Sequence, residues 1–110
     1  MNDDTSIDVI CMTGELDISR KVEIRNALRV NRKASAVLLD LSDVTYADST
    51  ALTEFLRFSK SAKDEGIEIA LLIGNRQFSR LIQYAGLTET FAVFENRADA
   101  LAHLAESVTR

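Results

Sequence analysis

The spacing of apolar residues changes abruptly in the middle of this chain. Residues 36–41 form a short apolar run with one polar member, Asp40, bounded by polar residues as a buried strand would be. After Asp48 the period becomes helical: Leu52, Phe55 and Leu56 recur on one face, and Ser59 and Ala62 continue the stripe. A strand therefore ends, a loop over 42–49 follows, and a helix opens at or near Ser49. Asp48, Ser49 and Thr50 stand together at the junction, and each can cap a helix N-terminus.

The same alternation holds along the rest of the chain. Residues 1–6 are polar and read as loosely held. Residues 7–12 read as a strand in which Ile7, Val9 and Cys11 alternate against Asp8 and Ile10; since Ile10 is also apolar, both faces are expected to be covered. Cys11 is read as a small buried hydrophobe. Gly14-Glu15-Leu16-Asp17 turns the chain, and Asp17 or Ser19 can cap the helix that follows. That helix takes its core face from Ile24, Ala27, Leu28 and Ala34. Beside it Lys21, Arg25, Arg29 and Arg32 or Lys33 form a basic stripe. This is either a docking face for an acidic partner or, the commoner case, a solvated flank. The central helix ends at Gly66. Residues 67–73 are nearly all apolar and form the clearest strand. Gly74-Asn75 breaks it, and Phe78, Leu81, Ile82 and Ala85 define a short helix closing at Gly86. Residues 91–94 form a fourth strand. Asn96 caps a last helix whose inner stripe is Ala98, Leu101, Ala102, Ala105 and Val108.

The order β-α-β-α-β-α-β-α specifies an α/β domain with a small, mostly parallel sheet of about four strands and four helices. Such folds place their sites in loops at the carboxyl ends of strands. Gly14 to Asp17 and residues 42–49 are two of these and can lie side by side.

Composition narrows the functional classes. The 110 residues suit one domain, 1–110, and the net charge of −4 argues against general nucleic-acid binding. No apolar run is long enough to span a bilayer and nothing opens the chain like a signal peptide, so a cytoplasmic protein without membrane insertion is expected. A single cysteine gives no internal disulfide. An enzyme is not expected. The only histidine, His103, lies far along the chain from any serine of interest and reads as a surface residue. The four glycines are too scattered for a nucleotide loop, and no Cys/His spacing suits a metal. Asp40, Asp43 and Asp48 could hold a hard cation, but acids around one loop more often cap or hydrogen-bond. No cofactor is implied.

Asp40-Leu41-Ser42 with Val44, then Asp48-Ser49-Thr50-Ala51-Leu52, resembles the signature of the STAS domain, a family joining sulfate transporters and bacterial anti-sigma factor antagonists. Gly14-Glu15-Leu16-Asp17 resembles the family's strand-to-helix turn, at a fitting distance upstream. The resemblance runs from about residue 7 to 110. Relatives carry a further strand ahead of residue 7, here short or missing, which leaves a sheet edge open. Ala51 replaces a glycine often found at that position and is small enough for a tight helix start.

The resemblance implies an anti-sigma factor antagonist, a partner-switching regulator of sigma-factor-dependent transcription. Its partner would be an anti-sigma factor that is also a serine kinase of histidine-kinase-like ATPase fold. Phosphorylation on Ser49, with Thr50 as rival acceptor, would release it, and a phosphatase would reverse the change. Asp17, Tyr46, Asp48, Ser49, Thr50, Leu52 and Thr53 match the family's partner contacts. The alternative within the family is an accessory subunit of a lipid-transport ATPase complex or of a stress-sensing assembly, with no such phosphorylation. The oligomeric state is left open.

Overall fold

The computed structural model describes residues 6–108. β1 (Ile7–Leu16) passes through a 3-10 turn (Ile18–Arg20) into α1 (Lys21–Ala27). β2 (Ala36–Ala47) is followed by α2 (Ser49–Asp64), β3 (Glu68–Ile73) by α3 (Arg76–Tyr84), and β4 (Ala92–Phe94) by α4 (Arg97–Val108). The strands are all parallel and lie in chain order. The expected α/β alternation of four strands and four helices is therefore present. The expectations of a loosely held segment over 1–6 and of a short or missing leading strand fall, apart from Ser6, on residues 1–5, outside the described residues. Ser6 already serves the sheet, its carbonyl accepting from the Ser35 and Ala36 amides at 2.8 and 3.3 Å.

Right-handed crossovers between strands laid down in one direction put every connecting helix on the same face. Ile24 of α1, Phe55 and Phe58 of α2, and Phe78 and Ile82 of α3 accordingly share one core with Leu39, Leu41, Leu71 and Ile73 of the sheet. The Phe55 and Phe78 rings stack with centroids 5.8 Å apart. Among the described residues only α4 covers the other face, where Ala100 and Leu104 meet Ala36, Leu38, Ala70 and Leu72 of β2 and β3. Gly66 ends α2 at φ +73°, a left-handed conformation that a side chain would strain.

That lopsided cover corrects the reading of β1. Met12 and Leu16 are buried and Ile10 is half-buried against the larger core. Val9 and Cys11 point to the opposite face, where the cluster under α4 takes in Ile7 and extends no further along β1, and both are exposed. Cys11 is thus not a buried hydrophobe, and β1 is not covered on both sides. Helix faces also differ from expectation in detail. α1 stops at Ala27, which is exposed, while Ala34 is buried beyond the helix. On α2 the inner stripe is Ala51, Phe55, Phe58 and Ala62, and Leu56 is 37% exposed. Ala85 lies past the end of α3 and is exposed. On α4 the inner residues are Ala100 and Leu104, with Leu101 and Val108 half-buried, so Ala98, Ala102 and Ala105 face outward. His103 is partly covered: its Nε2 lies 3.4 Å from the Glu68 carboxylate, and its ring packs beside Phe94.

The segment 42–49 is not a loop over most of its length. β2 continues to Ala47, pairing with β1 as far as Leu16 opposite Ala47, although its pairing with β3 stops at Leu41 opposite Ile73. Cys11 and Thr13 face Asp40 and Asp43, and Gly14 and Glu15 face Val44 and Tyr46. At each place β2 carries one residue more than β1, the definition of a bulge. The buried residues there, Leu41, Val44 and Ala47, are spaced by three. A strand that has lost its period of two has no strand signature to read.

Candidate partner-docking site

The paired ends of β1 and β2 carry the two motifs to one place. Glu15 lies opposite Tyr46, Leu16 opposite Ala47, and the Asp48 amide donates to the Leu16 carbonyl at 3.2 Å. Both chains then turn into helical segments, and the same device starts each. Asp48 is extended, and its carboxylate accepts from the Thr50 amide at 2.8 Å. Asp17 is extended, and its carboxylate accepts from the Ser19 amide at 3.0 Å and from the Ser19 hydroxyl. These bonds, the hydroxyl's first, hold the Asp17 carboxyl below its ordinary range. Side by side, Asp17 and Asp48 satisfy amides that a helix start leaves unpaired.

Ser49 is the first residue of α2 and is exposed. Thr50 is half-buried and its amide is held by Asp48. Thr53, one turn on, is exposed and donates its hydroxyl to the Ser49 carbonyl at 2.9 Å. Tyr46 is 43% exposed on the bulged end of β2. Leu52 is a correction: it is 5% exposed and part of the core, because the first turn of α2 already presses that side onto the sheet. The structure therefore gathers six of the seven expected residues on one surface and assigns the seventh to packing.

Sequence reasoning missed two apolar members of that surface. Ile18 and Val22, one turn apart along the 3-10 turn and α1, are each 72% exposed. A signal was available, since their spacing of four marks a stripe separate from that of Ile24 and Leu28. With Tyr46 they are among the few large hydrophobic side chains left in water.

Three polar side chains, in roles also unforeseen, hold the strand ends that carry the site. Gly14 has φ +80°, and the guanidinium of Arg20 donates to the carbonyls on either side of it, Thr13 and Glu15, at 2.8 Å each. Beyond Leu41, β2 has no β3 partner, and α3 supplies one in side-chain form. The Gln77 carboxamide accepts from the Ala47 amide at 3.2 Å and donates to the Ala47 carbonyl at 2.9 Å. Asn75 donates to the Thr45 carbonyl at 3.0 Å while also capping α3 through the Phe78 amide. Buried backbone groups need such partners where a ladder ends.

The basic stripe of α1 is partly internal. Arg25 binds both oxygens of Glu54, at 3.0 and 2.9 Å, and Glu54 is 2% exposed. The bond from Arg25, against the opposing effect of burial, holds the Glu54 carboxyl below its ordinary value. Arg32 lies 3.6 Å from Glu65. Two of the three acids weighed as cation ligands are also engaged. Asp40 accepts from Ser42 and from Arg97 at 2.8 Å, and Asp48 is the cap.

A small α/β domain that brings two capped helix starts, a free hydroxyl and three exposed hydrophobic side chains to one end has the make-up of a protein-interaction domain. Residues 2–100 match the STAS domain family, and the chain belongs to it. Over 86 residues it is 29% identical to the anti-sigma-B factor antagonist of Listeria monocytogenes, covering 76% of this chain and 75% of that protein. The crystal structure of an anti-sigma factor antagonist from Mycobacterium paratuberculosis superimposes with a TM-score of 0.77 at 24% identity, over 90% of this chain and 86% of that one. A solved protein from Thermotoga maritima gives a TM-score of 0.81 at 21% identity, over 94% and 90%. Among the described residues no helix is long and apolar enough to cross a membrane.

Proposed function

We propose that this chain is an anti-sigma factor antagonist that works by partner switching. Its unmodified form binds an anti-sigma factor that is also a serine kinase of histidine-kinase-like ATPase fold, and so frees a sigma factor. The kinase transfers the γ-phosphoryl group of ATP to the Ser49 oxygen; the hydroxyl proton departs and ADP is released. The observation that carries this reading is the setting of Ser49. It is an exposed hydroxyl at a capped helix start, and it borders one small hollow with the exposed Ile18. Phosphorylation adds about −1.5 to −2 charges at neutral pH to a surface that already holds Asp43 and Asp48. A small contact becomes a bulky, repelled one. A loss of about 3 kcal/mol lowers affinity roughly 150-fold.

The family membership and the Listeria relative support the role, and the shared caps support one surface built from both motifs. The test uses purified protein, ATP and the co-encoded kinase, with mass spectrometry to locate the phosphate. Ser49→Ala should abolish modification and keep binding, and Ser49→Asp should weaken binding. Phosphate on Thr50, or a Ser49→Ala protein modified as fast as the parent, would defeat the assignment. Absence of modification by any co-encoded kinase would favour the accessory-subunit role instead.

A further inference from the structure

Between the 3-10 turn and the first turns of α2 lies a hollow of about 140 Å³, lined by Ile18, Lys21, Ser49, Thr50, Thr53 and Glu54. Ser49 and Lys21 thus border one small space from opposite helical segments. Lys21 makes no ion pair among the described residues. The one carboxylate in the hollow does not claim it, because Arg25 binds both Glu54 oxygens and Arg57 lies 3.7 Å from one of them. Lys21 is near enough to act on Glu54, but as the least of the influences that lower its carboxyl, of which the Arg25 bond is the greatest. Two arginines thus hold the Glu54 carboxylate from outside the hollow, and Lys21 is, among the described residues, the one cation that lines it.

The remaining charged groups around Ser49 leave Lys21 as the available counterion. Asp48 has given an oxygen to the Thr50 amide, so that amide is not open to a new anion. Asp17 is turned to Ser19. Arg25 and Arg57 are occupied by Glu54.

We infer that a phosphate on Ser49 is received by Lys21 across this hollow, so that the modified side chain folds back along the seam between α1 and α2. The inference rests on the proposed modification of Ser49 and adds its internal acceptor. A phosphate drawn inward covers the hollow between Ile18 and Thr53 and neutralises Lys21. The partner is then faced with a filled recess as well as a new charge. Cation and phosphate attract, and the cation favours the more highly charged phosphate, which lowers the phosphate's second pKa.

The test removes the kinase from the question. Phosphoserine is installed at position 49 during synthesis by suppression of a stop codon, and the phosphate is titrated by phosphorus NMR. The comparison is among the phosphorylated parent, its Lys21→Met variant and its Lys21→Arg variant. Lys21 is exposed, and the amide spectrum of each protein verifies the fold; Lys21→Gln replaces a Met variant that does not fold. The second pKa should lie lower in the parent than in Lys21→Met by about half a unit, a threefold change in proton affinity. Lys21→Arg should retain the shift, and added salt should shrink it. Equal titration curves for parent and Lys21→Met, or loss of the shift in the Arg variant, would overturn the pairing. If no kinase modifies Ser49, the functional reading fails while this titration still decides the pairing.

Discussion

Gln77 offers the sharpest test of how the site is held. Its carboxamide bonds both backbone groups of Ala47, two residues before Ser49, at 3.2 and 2.9 Å. Gln77→Ala leaves a donor and an acceptor of a fully buried residue without those partners. A buried group left unsatisfied costs about 1–3 kcal/mol. Gln77 itself is exposed, so water can enter the vacated space and the lower end of that range applies. Asn75 keeps its bond to Thr45. The expected loss is about 1–2 kcal/mol in a urea melt, with an unchanged slope. Hydrogen exchange should locate it: the amides of Ala47 and Asp48 should exchange faster, while those of Leu38 and Leu39, in mid-sheet, should change only with global stability. Gln77→Glu adds a sign. The carboxylate would face the Ala47 carbonyl at neutral pH, whereas the protonated acid could donate to it. The folded state would then raise the carboxyl pKa, so the variant should gain stability relative to Gln77→Ala as pH falls through that raised value. A Gln77→Ala melt overlaying the parent, with unchanged exchange at Ala47, would refute the claim that the clamp holds the strand end.

Phe55→Ala should cost about 3–5 kcal/mol, whereas Leu56→Ala should fall within about 0.5 kcal/mol of the parent, and paired urea melts compare them. Asp17→Ala should weaken binding of the anti-sigma partner in calorimetry beyond any loss of fold, and unchanged affinity would take the Gly14 to Asp17 segment off the surface. Glu54→Gln should flatten the acid limb of the stability curve. The parent carboxyl titrates below its ordinary 4.5 when folded, so the unfolded chain binds more protons and stability falls as pH drops through that value.

Alternation of strands and helices was legible because burial imposes periods of two and 3.6, and the caps were legible because Asp17, Asp48 and Asn96 are short acceptors placed before apolar stripes. The errors have a common origin, in that pattern reports apolarity but not what lies opposite. Cys11 and Val9 are apolar residues on a side of β1 that the cluster under α4 covers only at Ile7. Leu56 and Ala98 fit helical stripes whose true centres lie one residue away. The bulges in β2 erased its alternation, so a strand passed for a loop. Most of the candidate surface followed from the two motifs, whereas Gln77 and Arg20 act on backbone atoms, which leave no trace in residue type.

Because the strands lie in the order in which they occur in the chain, each joins the outer edge of the one before, and none has to be inserted between two already paired. During synthesis the sheet can grow at one margin as the polypeptide emerges, with short-range contacts made first. The Ser49 segment is then held on its β1 side well before α3 leaves the ribosome. The Gln77 amide arrives later on its other side, making completion of this strand end a late event in the life of the nascent chain.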